Sequence, residues 1–119
     1  MSDTRLVLAR VCAAIEEKQG KDMIVLDISQ ISSLADFFIL CHGSNPKQVQ
    51  AISESIRDAL VREFQIRPAH IEGAENAEWI LLDFLDFVIH IFEEPVRKFY
   101  NLEKLWGDAV KVEHGVLTA

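Results

Sequence analysis

Residues 79–92 read WILLDFLDFVIHIF. Side chains on a strand alternate between faces, so a chain of this pattern folded back on itself sorts into two sets. A turn centred between Phe84 and Leu85 places Asp83 opposite Asp86, Leu81 opposite Val88 and Trp79 opposite His90. One face then holds Ile80, Leu82, Phe84, Phe87, Ile89 and Ile91. It is wholly apolar and has to be core. The other is mixed: Trp79, Leu81, Asp83, Asp86, Val88, His90 and Phe92. A one-residue slip would scramble both sets, which is why a hairpin in this register is predicted. A bulged three-residue turn is the alternative closure.

The flanking sequence supplies partners for the apolar face. Leu8, Val11, Cys12 and Ile15 recur at i, i+3, i+4 and i+7, which predicts a helix over 3–19 started by Ser2 or Asp3 and ended by Gly20. Met23–Ile28 and Phe37–His42 are short apolar runs and read as strands, with a polar connector over 29–35. Asn45-Pro46 has a capping residue followed by the residue best suited to the first helical position, so a helix is predicted from there to about Phe64. His70–Glu72 reads as a short edge strand. Glu93-Glu94-Pro95 opens a last helical region over 96–109, with Phe99, Leu102, Leu105 and Trp106 as its apolar stripe. Residues 111–119 carry no pattern and read as a flexible tail. The blocks give one domain over 1–110, of α/β (α+β) class, with a mixed sheet and flanking helices. MIVLDI and FFILCH are apolar on both faces, so helices should cover much of that sheet.

The 119-residue chain carries a net charge of −7. That disfavours direct binding of nucleic acid, which needs a basic face, and favours a basic partner. Cys12 and Cys41 form no CxxC pair and read as small buried hydrophobes in a reducing compartment. No segment has the length of a membrane span, and the N-terminal residues do not read as a cleaved leader. The protein is expected in the cytoplasm.

Asp83, Asp86 and His90 are the parts of an acid–base or metal site, but no nucleophile stands near them in sequence. His42, His70, His90 and His114 show no HxH or HxxxH spacing, and no metal or other cofactor is expected. Gly43-Ser44 before a helix could receive a phosphate, although a tight turn with an Asn-Pro cap explains the pair as well. A mixed face with an aromatic anchor and an acidic end also describes a docking surface for a basic protein.

Three blocks carry a family resemblance: ISSLADFFILCHGSNPKQVQAI (31–52), EWILLDFLDFVIHIF (78–92) and RKFYNLEKLWGDA (97–109). In this order the chain resembles the ribosomal silencing factors, also called the Iojap family, over about residues 3–109. The resemblance implies a fold similar to nucleotidyltransferases without that catalysis. It implies binding to the large ribosomal subunit through ribosomal protein L fourteen, occlusion of the small subunit, and lowered translation when nutrients are scarce. Dimers are also within what it implies. By position it brings forward Trp79, Asp83, Asp86, His90 and Phe92, with Asp36, Phe37, Gly43, Ser44, Gln48, Arg97, Tyr100 and Trp106. Leu85 stands where the family has glycine, and His42 where it has a small hydroxyl residue.

The expected reading is a translation repressor, not an enzyme. Its partner-binding surface is expected at Trp79, Leu81, Asp83, Asp86, Val88, His90, Phe92, Arg97 and Tyr100. Two other readings stay open: a nucleotide-transferring enzyme of similar fold, and a homodimeric interaction module with a non-ribosomal partner.

Overall fold

In the computed structural model, which describes residues 4–101, 104 and 110–112, helix α1 (Thr4–Glu17) buries Val7, Leu8, Val11, Cys12 and Ile15. Ser2 and Asp3, expected to cap it, lie outside the described residues. Its far end is closed by Gln19, which takes the left-handed φ of 60°. The Gly20 and Gln19 N–H groups then donate to the carbonyls of Ile15 and Glu16, each at 2.9 Å, the double bond of a Schellman cap. Gly20 was expected to adopt that conformation. Its lack of a side chain serves something else, since a Cβ there would run into the Ile15 side chain.

Helix α2 (Pro46–Phe64) begins and ends where Asn45-Pro46 and the loss of apolar spacing place it. The Asn45 side chain accepts the Gln48 N–H at 2.9 Å, satisfying one of the free donors of the first turn. Strands β1 (Lys21–Asp27), β2 (Phe37–Gly43), β3 (His70–Glu72), β4 (Trp79–Asp83), β5 (Phe87–Glu93) and β6 (Val110–Val112) join in one sheet, in the order β3-β4-β5-β2-β1-β6. β2 and β5 run parallel at its centre, and the other pairs are antiparallel. The fold is thus a mixed α+β domain.

The sheet is apolar on both faces. Val25, Ile39, Cys41, Ile80, Leu82, Ile89 and Ile91 pack with α1 and α2 in one cluster. Leu26, Phe38, Leu40, Val88 and Phe92 form a second cluster on the other face, together with Ile24, Trp79, Leu81 and Val96. Val96 belongs to a short helix, α3 (Glu94–Tyr100). A fully buried aliphatic side chain contributes roughly 1.5–3 kcal/mol, and the central strands share the buried apolar side chains with α1 and α2.

Two expectations are corrected. The last helical region is not continuous: α3 ends at Tyr100, where Asn101 turns left-handed at φ 48° and donates its N–H to the Arg97 carbonyl, and Lys104 beyond it is again helical. Phe99, assigned to a buried stripe, is 81 % exposed; Leu102, Leu105 and Trp106 lie outside the described residues. Nor is the segment from 111 onward wholly a tail: Lys111 and Val112 belong to β6, which pairs antiparallel with Val25–Asp27. The pairing comes from the backbone of β1, which no local pattern announces. Residues 113–119 lie outside the described residues. Among the described residues no helix is long and apolar enough to cross a membrane.

Candidate functional site

The hairpin separates its faces as expected but in another register. Trp79 pairs with Phe92, Leu81 with His90 and Asp83 with Val88. The ladder is displaced by two residues from the expected one. Because side chains alternate with period two, every residue keeps its face. The opposition of Asp83 and Asp86 does not exist: Asp83 ends β4 and Asp86 sits in the turn. Phe84 and Phe87 stack on the core side at 5.0 Å, and the loop between them is Leu85-Asp86.

That loop explains the departure at Leu85. The Asp86 N–H donates to the Phe84 carbonyl at 3.0 Å, a three-residue γ-turn of the rarer form in which the central residue has positive φ. Leu85 takes φ 73°, a conformation that costs a residue with a Cβ roughly 1–2 kcal/mol. Its N–H is held by the Asp83 carboxylate at 2.8 Å. Leu85 is strained, and its side chain is 63 % exposed.

On the mixed face, the Trp79 indole Nε1 donates to His90 Nδ1 at 3.1 Å. The bond joins diagonal rather than facing positions of the hairpin. It assigns the His90 proton to Nε2, which is buried without a hydrogen-bond partner. Rings surround the imidazole: Phe38 edge-on at 4.9 Å, Trp79 at 5.9 Å and Phe92 at 6.2 Å. Burial pushes the His90 pKa down to about 4. A neutral, ring-packed imidazole of this kind orients Trp79 rather than exchanging protons near neutrality.

The expected docking residues therefore divide by access. Asp86 is exposed, and Trp79, Leu81 and Asp83 are half-buried. Val88, His90 and Phe92 are buried beneath them, and Arg97 is an internal tie. Its guanidinium donates to the Lys21 carbonyl at 3.3 Å and meets His42 Nδ1 at 2.9 Å. Glu94 Oε2 lies 3.6 Å from His42 Nε2. Arg97 thus ties α3 to the end of β1 and the larger His42 ties it to the end of β2, links the sequence did not announce. Burial and the Arg97 charge both lower the His42 pKa. Tyr100 ends α3, and its side chain lies outside what the structure describes.

The Gly43-Ser44 turn is closed on itself. The Ser44 N–H donates to Gln48 Oε1 at 2.7 Å, and Gln48 Nε2 donates to the carbonyls of Lys18 and Gln19. Gln48 thereby locks the start of α2 to the end of α1, and Gly43 leaves the room it needs, since a Cβ there would stand 3.2 Å from the Gln48 side chain. Cys12 and Cys41 are buried and unbridged, and burial raises the Cys41 thiol to about 12. Among the described residues no three His, Cys, Asp or Glu side chains are grouped to hold a metal ion.

The family model described as ribosomal silencing factor during starvation matches residues 2–118. The chain is 45 % identical over 103 residues to the ribosomal silencing factor RsfS of Bacillus subtilis, covering 87 % of this chain and 86 % of that one. It is 36 % identical over 100 residues to the chloroplastic protein Iojap of Zea mays, covering 84 % of this chain and 43 % of that one. A solved structure from Chromobacterium violaceum superimposes with a TM-score of 0.84 at 34 % identity, covering 89 % of this chain and 88 % of the other. One from Bacillus halodurans does so with a TM-score of 0.79 at 37 % identity, covering 93 % and 99 %. The three sequence blocks, the mixed sheet they build and these matches agree: the chain belongs to the ribosomal silencing factor (RsfS) family.

Proposed function

We propose that this protein represses translation in the cytoplasm by binding the large ribosomal subunit through ribosomal protein L fourteen, so that the small subunit cannot join. Repression would act when nutrients are scarce, in keeping with the name of the matching family model. Occlusion needs affinity and bulk and no chemical step. The observation that carries the reading is the Trp79–Leu81–Asp83 strip, which leads along β4 to the exposed Asp86. It is an aromatic and aliphatic anchor with an acidic end, over a buried support of Val88, His90 and Phe92.

In this reading Trp79 and Leu81 supply most of the affinity, and the aspartates steer a basic surface into register. Arg97 acts from within by holding α3. The test is co-sedimentation with isolated large subunits, comparing wild type with Trp79→Ala. The variant is expected to lose at least ~2 kcal/mol of binding. A folded variant that sediments like wild type would remove Trp79 from the interface.

A further inference from the structure

We propose that the tip of the sheet, where the β1–β2 loop meets the β4–β5 turn, is a second docking element, with Leu85 and Leu34 as its apolar knobs. The inference rests on the reading that the Trp79 strip binds a basic protein surface of the large subunit, and it extends that surface beyond the strip.

Four observations meet at this tip. The loop and the turn are joined through Asp86, whose carbonyl accepts the Asp36 and Phe37 N–H groups at 2.8 and 3.3 Å. Three large apolar side chains stand out there: Leu34 at 73 %, Leu85 at 63 % and Ile31 at 46 % exposed. Leu85 is held at φ 73°, where glycine would sit without strain. A leucine that is neither buried nor comfortable contributes nothing evident to the fold, and strain of this sort gathers where a side chain is used outward. Finally, the tip is acidic without relief along the chain. No lysine or arginine stands between Asp22 and Pro46, or between Pro68 and Val96, while Asp36 and Asp86 are exposed and Asp83 half-buried.

These features choose the occupant. Apolar knobs close in the chain to the exposed carboxylates of Asp36 and Asp86 fit a basic protein surface with a shallow apolar depression. A second copy of this chain would bring like charge to like charge, and a nucleic-acid backbone would do the same. The tip also continues the Trp79 strip, since Asp83 ends β4 and its carboxylate holds the Leu85 N–H. One basic partner can therefore span both.

Leu85→Gly gives an unusual test, because it relieves strain and removes the knob together. Binding to isolated large subunits is measured for wild type, Leu85→Gly, Leu34→Ser and Trp79→Ala, with the denaturation midpoint and the molar mass of each. The expected result is an unfolding midpoint for Leu85→Gly at or above that of wild type, with binding weakened about tenfold, as for a lost buried leucine contact. Leu34→Ser should weaken binding in the same direction. If Trp79→Ala loses binding while both leucine variants bind like wild type, the proposed function stands and the second element falls. If the leucine variants change molar mass but not subunit binding, the tip is a contact between copies and the proposal is overturned. If wild type itself does not bind large subunits, both readings fail.

Discussion

His90→Phe should remove a specific sensitivity to mild acid. The imidazole is 5 % exposed and packed among Phe38, Trp79 and Phe92, and burial takes its pKa from the ordinary 6.5 to about 4. Below pH 6.5 the unfolded chain gains a proton at this site that the folded chain refuses. Stability therefore falls with pH from about 6.5 and stops falling, for this group, near pH 4. The gap corresponds to a loss of about 2 kcal/mol at pH 5 and about 3 kcal/mol at pH 4, relative to pH 7.5. Against a total of roughly 5–15 kcal/mol for a domain, that is a large share.

The assay is urea denaturation at pH 7.5, 6 and 5, for wild type and His90→Phe. The difference between the two proteins isolates His90. His42, also lowered, and the carboxylates contribute to both and cancel. Wild type should lose about 2 kcal/mol more than the variant on going to pH 5. A difference that stays flat from pH 7.5 to 5 would refute the reasoning, because it would mean that the imidazole is charged or solvated in the fold.

Other consequences follow from particular contacts. Leu85→Gly should stabilise the fold by about 0.5–1 kcal/mol, the relief of positive φ less the greater chain entropy of glycine; a lower urea midpoint would contradict the turn geometry. Asn45→Ala should cost about 1 kcal/mol, read by thermal or urea unfolding, since Asn45 caps α2; an unchanged midpoint would deny the cap that role. Replacing Asp83 and Asp86 with Asn should slow association with the large subunit, most at low salt. Stopped-flow rates that match wild type at every ionic strength would take both residues out of the interface.

How much of this was legible in the sequence depends on which force fixed each element. The faces of the hairpin were readable because period-two alternation survives any even shift of register. The register was not, because it hangs on the Leu85-Asp86 turn, and nothing in a leucine announces positive φ. α2 was readable at its start because Asn45 and Pro46 state their roles locally, and at its end because the apolar spacing is lost there. The break in the last helical region at Asn101 was not readable: Asn101 can end a helix or continue in one, and the packing around it decides. β6 has only three residues, and its order comes from pairing with β1. The hairpin residues expected at the docking surface share a face, while Arg97 and Tyr100 belong to α3, and alternation does not say how deep a face lies. Val88, His90 and Phe92 proved buried. The His42–Arg97 contact joins residues far apart in the chain, for which one sequence gives no signal.

In the proposed function this chain keeps ribosomal subunits apart by occupying the large one. Light scattering after mixing purified small and large subunits, with the protein added to the large subunit first, tests it directly. Subunit joining should fall as the protein approaches stoichiometry with the large subunit, and Trp79→Ala should restore it. Full joining at saturating protein, with the protein bound to the large subunit, would contradict the account.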